Sequence, residues 1–251
     1  MNPPARLKST LARRRGDDND MSGDPQSTWA AVDAIAEAWL RTSDAVLDEV
    51  MARCTRAGLP AIAVSPCQGK FLHLLARVSG AKRVLEVGTL GGYSTLWLAR
   101  ALPAGGRIVT LEIDPHHAQI ARENFALAKV DHLIELREGA ALKSLGEMER
   151  AEVEAFDLVF IDADKPSNAR YFEIALRLAR PGAIIIVDNV VREGAVLDDS
   201  GANPSVEGSR QVLRLMGETP GLAATLLQTV GAKGYDGFAI AVVGEVVDEA
   251  R

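Results

Sequence analysis

The sequence predicts a doubly wound α/β domain built on a mostly parallel seven-stranded sheet, and three observations carry that prediction. From Arg83 onward, short β-rich runs alternate with helix-length segments, the pattern of right-handed βαβ crossovers with helices on both faces of a parallel sheet. The first of these runs ends in a glycine-rich turn, Gly88-Thr89-Leu90-Gly91-Gly92. Near the carboxyl end, two β-rich runs lie close enough to pair as an antiparallel hairpin.

Taken in order, the chain opens with Arg6, Lys8, Arg13, Arg14 and Arg15 ahead of Asp17, Asp18 and Asp20, with no apolar run behind the basic cluster, so it lacks the form of a secretory signal. Residues 1–25 are expected to be a disordered tail, the first twenty alternatively lying upstream of a true start at Met21, and 26–251 to be the folded domain. An organelle transit peptide also starts Arg-rich, but the acidic stretch argues against one. Trp29, Val32, Ala36 and Trp39 fall on one helical stripe, and Val46, Leu47, Val50 and Met51 on a second helix closed by Gly58-Leu59-Pro60. After a loop at Ser65-Pro66 a third helix is predicted over about 69–79, which completes an N-terminal helical cover. Strands are predicted at Arg83–Val87, Arg107–Glu112, 133–137, Phe156–Ile161 and 183–187, and the closing hairpin at 224–230 and 237–243.

The 251 residues suffice for one large domain, and 47% hydrophobic with 25% charged residues excludes wholesale disorder or a fibrous repeat. No apolar run approaches the roughly 20 residues of a membrane helix; the run at 183–187 is broken by Asp188. With 28 Lys+Arg against 34 Asp+Glu the net charge is -6, which disfavours nucleic acid as a partner. Cys54 and Cys67 have no metal-ligand spacing and are too few for a disulfide framework, so a reducing, cytoplasmic setting is expected.

The first strand runs into Gly88, and the second ends at Glu112, 24 residues later. Glycines at a strand-to-helix turn let a ligand approach the backbone, a helix starting near Ser94 offers free N–H groups, and an acid at the next strand tip can accept both ribose hydroxyls. A nicotinamide site would want G-x-G-x-x-G, whereas here the glycines fall as G-x-x-G-G with Glu86 two residues before the first. A loop that must hold a cationic amino acid has a use for that carboxylate, which suggests S-adenosylmethionine. A structural tight turn and a nicotinamide oxidoreductase stay open as alternatives.

The stretch Ala81-Lys82-Arg83-Val84-Leu85-Glu86-Val87-Gly88, the pair Tyr93-Ser94, Phe160-Ile161-Asp162-Ala163-Asp164-Lys165 and Val187-Asp188-Asn189-Val190 together resemble the cation-dependent O-methyltransferases, the catechol and caffeoyl-coenzyme A type. The similarity covers about 60–243, and Gln228-Thr229-Val230-Gly231 with Lys233-Gly234-Tyr235-Asp236-Gly237-Phe238 resembles the bacterial branch. The resemblance implies a Rossmann-like methyltransferase fold, S-adenosylmethionine as cofactor and a homodimer. It places Val64, Glu86, Gly88, Thr89, Ser94, Glu112, Ala141 and Asp164 against the cofactor, Ala141 offering only backbone and methyl contacts.

Asp162 ends the fourth strand, and Asp188 with Asn189 ends the fifth, so three oxygen-bearing side chains lie at the carboxyl edge of adjacent strands. Two carboxylates and an amide suit a hard cation, Mg²⁺ first and Ca²⁺ or Mn²⁺ next, rather than zinc. Simple helix or turn capping is the bland alternative for strand-end Asp. An octahedral ion with these three ligands keeps positions for two adjacent hydroxyls of a substrate and one water, as the family is understood to dock a catechol. Lys165, three residues after Asp162, is the candidate base that takes a hydroxyl proton, and burial beside a cation would favour its neutral form. A solvated surface lysine, or one that only steers a phenolate, are the alternatives.

His73, His116, His117 and His132 read as structural or surface residues, and Trp29 with Trp39 as core or subunit contacts. The loop 190–205, with Arg192, Glu193, Asp198 and Asp199, is too long for a simple connection and is the candidate for substrate selection. The expected activity is methyl transfer to a hydroxyl of a small vicinal-dihydroxy substrate, catalysed by Asp162 and Lys165. A non-catalytic cofactor-binding protein of the same fold is the rival outside enzymes.

Overall fold

The computed structural model describes residues 24–244. Of the expected tail 1–25, residues 1–23 lie outside the described residues, while Pro25 opens the first helix and Asp24 caps its N-terminus.

Three helices, α1 (Pro25–Leu40), α2 (Ala45–Arg56) and α3 (Pro66–Val78), precede the sheet. Asp44 caps α2 by accepting from the N–H groups of Val46 and Leu47, each at 3.0 Å. Ser65 caps α3, and Pro66 occupies the first turn, where its missing N–H costs nothing. That pair moves the start of α3 ahead of the expected 69. The remaining order is β1 (Arg83–Val87), α4 (Tyr93–Ala99), β2 (Arg107–Glu112), α5 (Pro115–Leu127), β3 (Ile134–Glu138), α6 (Ala141–Arg150), β4 (Phe156–Ile161), α7 (Asn168–Leu178), β5 (Ala179–Val187), α8 (Pro204–Glu218), β6 (Leu222–Gly231) and β7 (Gly234–Val243).

The seven strands form one sheet in the order β3-β2-β1-β4-β5-β7-β6. All neighbours are parallel except β7, which runs antiparallel to β5 and β6. The winding direction reverses between β1 and β4, the switch point where open α/β sheets leave a crevice at the carboxyl ends of their strands. Gly88 fits that point because its φ is 99° and because a Cβ there would meet the Asp162 carbonyl oxygen at 2.0 Å.

Strand alternation divides the interior into two cores. Val84, Ile108, Leu158 and Phe160 pack with Leu47, Leu72, Leu96 and Phe125 on one face. Leu85, Leu111, Val159 and Ile161 pack with Leu145, Met148, Phe172 and Val212 on the other.

Several strand limits differ from expectation. Leu133 closes a short 3-10 turn (Asp131–Leu133), so β3 starts one residue late. β5 starts at Ala179, paired with Phe156 before a register shift, although Pro181-Gly182 reads as a break. The hairpin pairs through Gly231 and Gly234, which leaves a two-residue turn, Ala232-Lys233. Trp39 is not a core residue of this chain: it is 61% exposed, and α1 has no fully buried residue. No helix among the described residues is long and apolar enough to cross a membrane.

Candidate active site

Two cavities adjoin at the carboxyl edge of the sheet, and Asp162, Asn189, Ile62 and Val64 line both. The larger, 660 Å³, spans the ends of β1 and β2. Gly88, Thr89, Ser94, Glu112, Ala141, Asp164 and Lys165 line it as well, with His117, Tyr171 and Arg192. Of the residues assigned to the cofactor by resemblance, only Glu86 is absent from its wall.

Glu86 shares a face of β1 with Val84, so its side chain lies under α4. It is fully buried and accepts hydrogen bonds from the hydroxyls of Ser94 at 2.6 Å, Thr110 at 2.6 Å and Thr95. Burial pushes its carboxyl up to about 7, only partly offset by those three donors. Glu86 therefore supports Ser94 from behind.

Glu112 is buried at the tip of β2. Its Oε2 accepts from the N–H groups of Thr89 at 3.2 Å and Leu90 at 2.7 Å, and its Oε1 from that of Asp114 at 2.9 Å. His117 Nδ1 lies 3.6 Å from Glu112 Oε1. The predicted ribose acceptor thus also holds the glycine loop in place. Asp164 accepts from the hydroxyls of Ser167 and Tyr171, and burial with the adjacent Asp164 charge pushes the Tyr171 phenol up.

The second cavity, 500 Å³, lies toward the β6–β7 hairpin and adds Asp188, Gln68, Cys67, Phe71, Phe238, Glu193 and Lys233 to the shared residues. The Phe71 and Phe238 ring centroids are 5.2 Å apart, tilted by 38°, which gives the cavity an aromatic side. Lys165 Nζ donates to Asp162 Oδ1 at 2.8 Å. Asp188 is 4% exposed; its Oδ1 accepts from the N–H of Asn189 at 2.8 Å and its Oδ2 from Gln68 Nε2 at 2.5 Å. Burial and the neighbouring Asp162 charge push the Asp188 carboxyl up, with Lys165 pulling the other way.

Asp162, Asp188 and Asn189 therefore share one cavity wall. Among the described residues no group of three His, Cys, Asp or Glu side chains gathers as a metal cage. The shared set is two carboxylates and one amide, which fits a hard cation and not a soft one. The repulsion between its two carboxylates is what such a cation would relieve.

The loop after β5 contains a short 3-10 segment (Arg192–Leu197) and is pinned by Asp236, whose Oδ1 accepts from the N–H groups of Val191 at 3.1 Å and Arg192 at 2.8 Å. Arg192 lines the larger cavity and Glu193 the smaller, so consecutive residues of this loop serve different cavities.

Sequence reasoning missed four residues of the site. His117 was read as structural or surface, yet it lines the larger cavity beside Glu112. Tyr171 and Gln68 sit on helices where neither spacing nor a charge marks them, and only tertiary packing brings them to Asp164 and Asp188. Lys233 was visible in its Lys-Gly-Tyr-Asp-Gly string but had no assigned role. Its Nζ donates to the Ala63 carbonyl, and burial pushes the ammonium down while Asp162 and Asp188 pull it up.

A family model described as O-methyltransferase matches residues 39–227. The catechol O-methyltransferase of Mycobacterium tuberculosis is 50% identical over 223 residues, covering 89% of this chain and 100% of that protein. Among solved structures, the O-methyltransferase from Bacillus cereus in complex with SAH is 53% identical with a TM-score of 0.85, covering 87% of this chain and 99% of that one. TomG from Streptomyces achromogenes, an O-methyltransferase of tomaymycin synthesis in complex with SAM, is 44% identical with a TM-score of 0.85, covering 88% of this chain and all of that one, 100%. With its fold, its motifs and three quarters of its length matched in this way, the chain belongs to the O-methyltransferase family.

Proposed function

We propose that the chain transfers the sulfonium methyl group of S-adenosylmethionine to one hydroxyl oxygen of a small catechol-like acceptor. In this reading a divalent cation, Mg²⁺ ahead of Ca²⁺ or Mn²⁺, is held by Asp162, Asp188 and Asn189. The observation that carries it is the meeting of two cavities at Asp162 and Asn189. A donor in the larger cavity and a flat acceptor beside Phe71 and Phe238 in the smaller then face each other across that shared wall. The SAH and SAM complexes of the Bacillus and Streptomyces relatives support the donor, and the catechol O-methyltransferase of Mycobacterium supports the acceptor.

Glu112 accepts the ribose hydroxyls, and Asp164, held by Tyr171 and Ser167, faces the same donor. When bound, the cation supplies Lewis acidity that favours the ionised acceptor hydroxyl. Lys165 Nζ receives the hydroxyl proton as a neutral amine, so its ion pair with Asp162 opens and its ammonium first gives up a proton to solvent. The acceptor oxygen forms its bond to the methyl carbon as the carbon–sulfur bond breaks, leaving neutral S-adenosylhomocysteine. Fixing both reactants in line removes orientational freedom, the main contribution of a two-cavity site.

The same reading takes the exposed Val32, Trp39 and Leu40 of α1 as the face covered by a second copy in a homodimer. A reducing, cytoplasmic setting fits its two free cysteines. Incubation with S-adenosylmethionine, Mg²⁺ and catechol tests the activity by mass spectrometry. A mono-O-methylated product is expected; no product from catechol or any other vicinal dihydroxy compound would overturn the reading.

A further inference from the structure

We propose that Gln68 is a positioning residue for Asp188, orienting that carboxylate for a cation without neutralising it. The inference rests on the cation reading above. Gln68 Nε2 donates to Asp188 Oδ2 at 2.5 Å from a position 120 residues away in sequence. With the Asn189 N–H on Oδ1 at 2.8 Å, both oxygens of Asp188 are held. Asp162 is handled differently, since its side-chain partner is the ammonium of Lys165 at 2.8 Å. A neutral amide fixes a carboxylate's direction and leaves its full negative charge for a cation, which an ammonium does not.

The placement of Gln68 is built from the sequence around it. Ser65 Oγ accepts the Gln68 backbone N–H at 3.2 Å, and the Gln68 side chain, at the position from which a capping box would reach back to Ser65, turns to Asp188 instead. The next residue, Gly69, lies against Trp97, where a Cβ would meet the indole Cδ1 at 2.2 Å. This close approach presses α3 onto α4 and sets the rotation of α3 about its axis. Gln68 is thereby turned into the smaller cavity, beside Asp162, Asp188 and Asn189. Its amide oxygen has no hydrogen-bond partner among the described residues, so the Asp188 contact is the only one that orients the side chain.

The test is a Mn²⁺ titration of the full chain in the presence of S-adenosylhomocysteine, with free Mn²⁺ read by electron paramagnetic resonance. Wild type is compared with Gln68→Met, which keeps the length of the side chain and lacks the donor, and with Gln68→Leu. Loss of an outer partner of a metal ligand weakens metal binding by about 10-fold or more, and that rise in Kd is expected for both variants. Calorimetric affinity for S-adenosylhomocysteine should stay at the wild-type value, which reports an intact fold. The Mg²⁺ concentration for half-maximal methyl transfer should rise with the Mn²⁺ Kd, while the KM for S-adenosylmethionine does not move. Unchanged Mn²⁺ affinity in both variants, with wild type binding the ion, would overturn the role of Gln68 alone. Absence of Mn²⁺ binding by wild type would overturn the cation reading itself, and this inference with it.

Discussion

Glu112 Oε2 accepts the backbone N–H of Leu90 at 2.7 Å, and Leu90 is a non-glycine residue at φ 49°. A left-handed conformation at such a residue costs roughly 1–3 kcal/mol, so the carboxylate at the tip of β2 holds a strained loop in its ligand-ready shape. Glu112→Ala should therefore weaken S-adenosylhomocysteine binding by roughly 1.5–3 kcal/mol, the range for hydrogen bonds to a charged group. Calorimetry reads this directly. An unchanged affinity would mean that the donor does not lie across β1 and β2.

Glu86 predicts a pH dependence of stability. Its carboxyl is pushed up to about 7 from an ordinary 4.5 by burial. The unfolded chain loses this proton near the ordinary value, whereas the native chain keeps it until about 7, so in that window the native state binds more protons and stability falls as pH rises. A shift of this size corresponds to roughly 3 kcal/mol, present at the acid end of the window and lost at the neutral end. Glu86→Gln cannot ionise, so the Tm of the variant relative to wild type should climb across the window and level off above it. A Tm difference that is flat with pH would contradict the burial argument.

Lys165→Ala should lower kcat more than it raises KM, because a proton acceptor acts on the step in which the proton leaves. A phenol with pKa near 10 ionises unaided in alkali, so the deficit should shrink between about pH 7 and about pH 9.5. Initial rates at the two pH values check it. An equal deficit at both would assign Lys165 to positioning of Asp162, with which it pairs at 2.8 Å.

Arg192 and Glu193 belong to one loop but line different cavities, so in the proposed reading that loop borders both donor and acceptor. Arg192→Ala should change the ratio of meta to para products from a substituted catechol while methyl transfer continues. Chromatography of the two regioisomers is the measurement, and an unchanged ratio would remove the loop from substrate selection.

Much of this architecture was legible because the strands are rich in β-branched and aromatic residues. Arg83–Val87, Arg107–Glu112 and Phe156–Ile161 have the limits expected from sequence. The start of β5 was hidden by Pro181-Gly182, whose turn-forming chemistry is overridden by pairing to β4. Gly234, Tyr235 and Asp236 likewise read as loop residues, yet all three lie within the hairpin ladder. At the site, motif spacing brought out Glu112, Asp162, Lys165, Asp188 and Asn189, each on or just after a strand tip. Glu86, assigned to the cofactor by resemblance, shares the Val84 face of β1 and lies behind Ser94 under α4, a placement that only packing reveals. Gln68 and Tyr171 left no local signal because their partners are remote in sequence or lie across a helix start.

The most direct test of cation-assisted transfer to a vicinal diol is the initial rate of methyl transfer from S-adenosylmethionine to catechol under three conditions: with Mg²⁺, with excess EDTA, and with Mg²⁺ restored. Asp188→Ala and the matching mono-phenol serve as controls. The rate should vanish with EDTA and return with Mg²⁺, should be abolished in Asp188→Ala despite retained S-adenosylhomocysteine binding, and should be much lower for the mono-phenol. Full activity in EDTA, with catechol and mono-phenol methylated equally, would contradict the account.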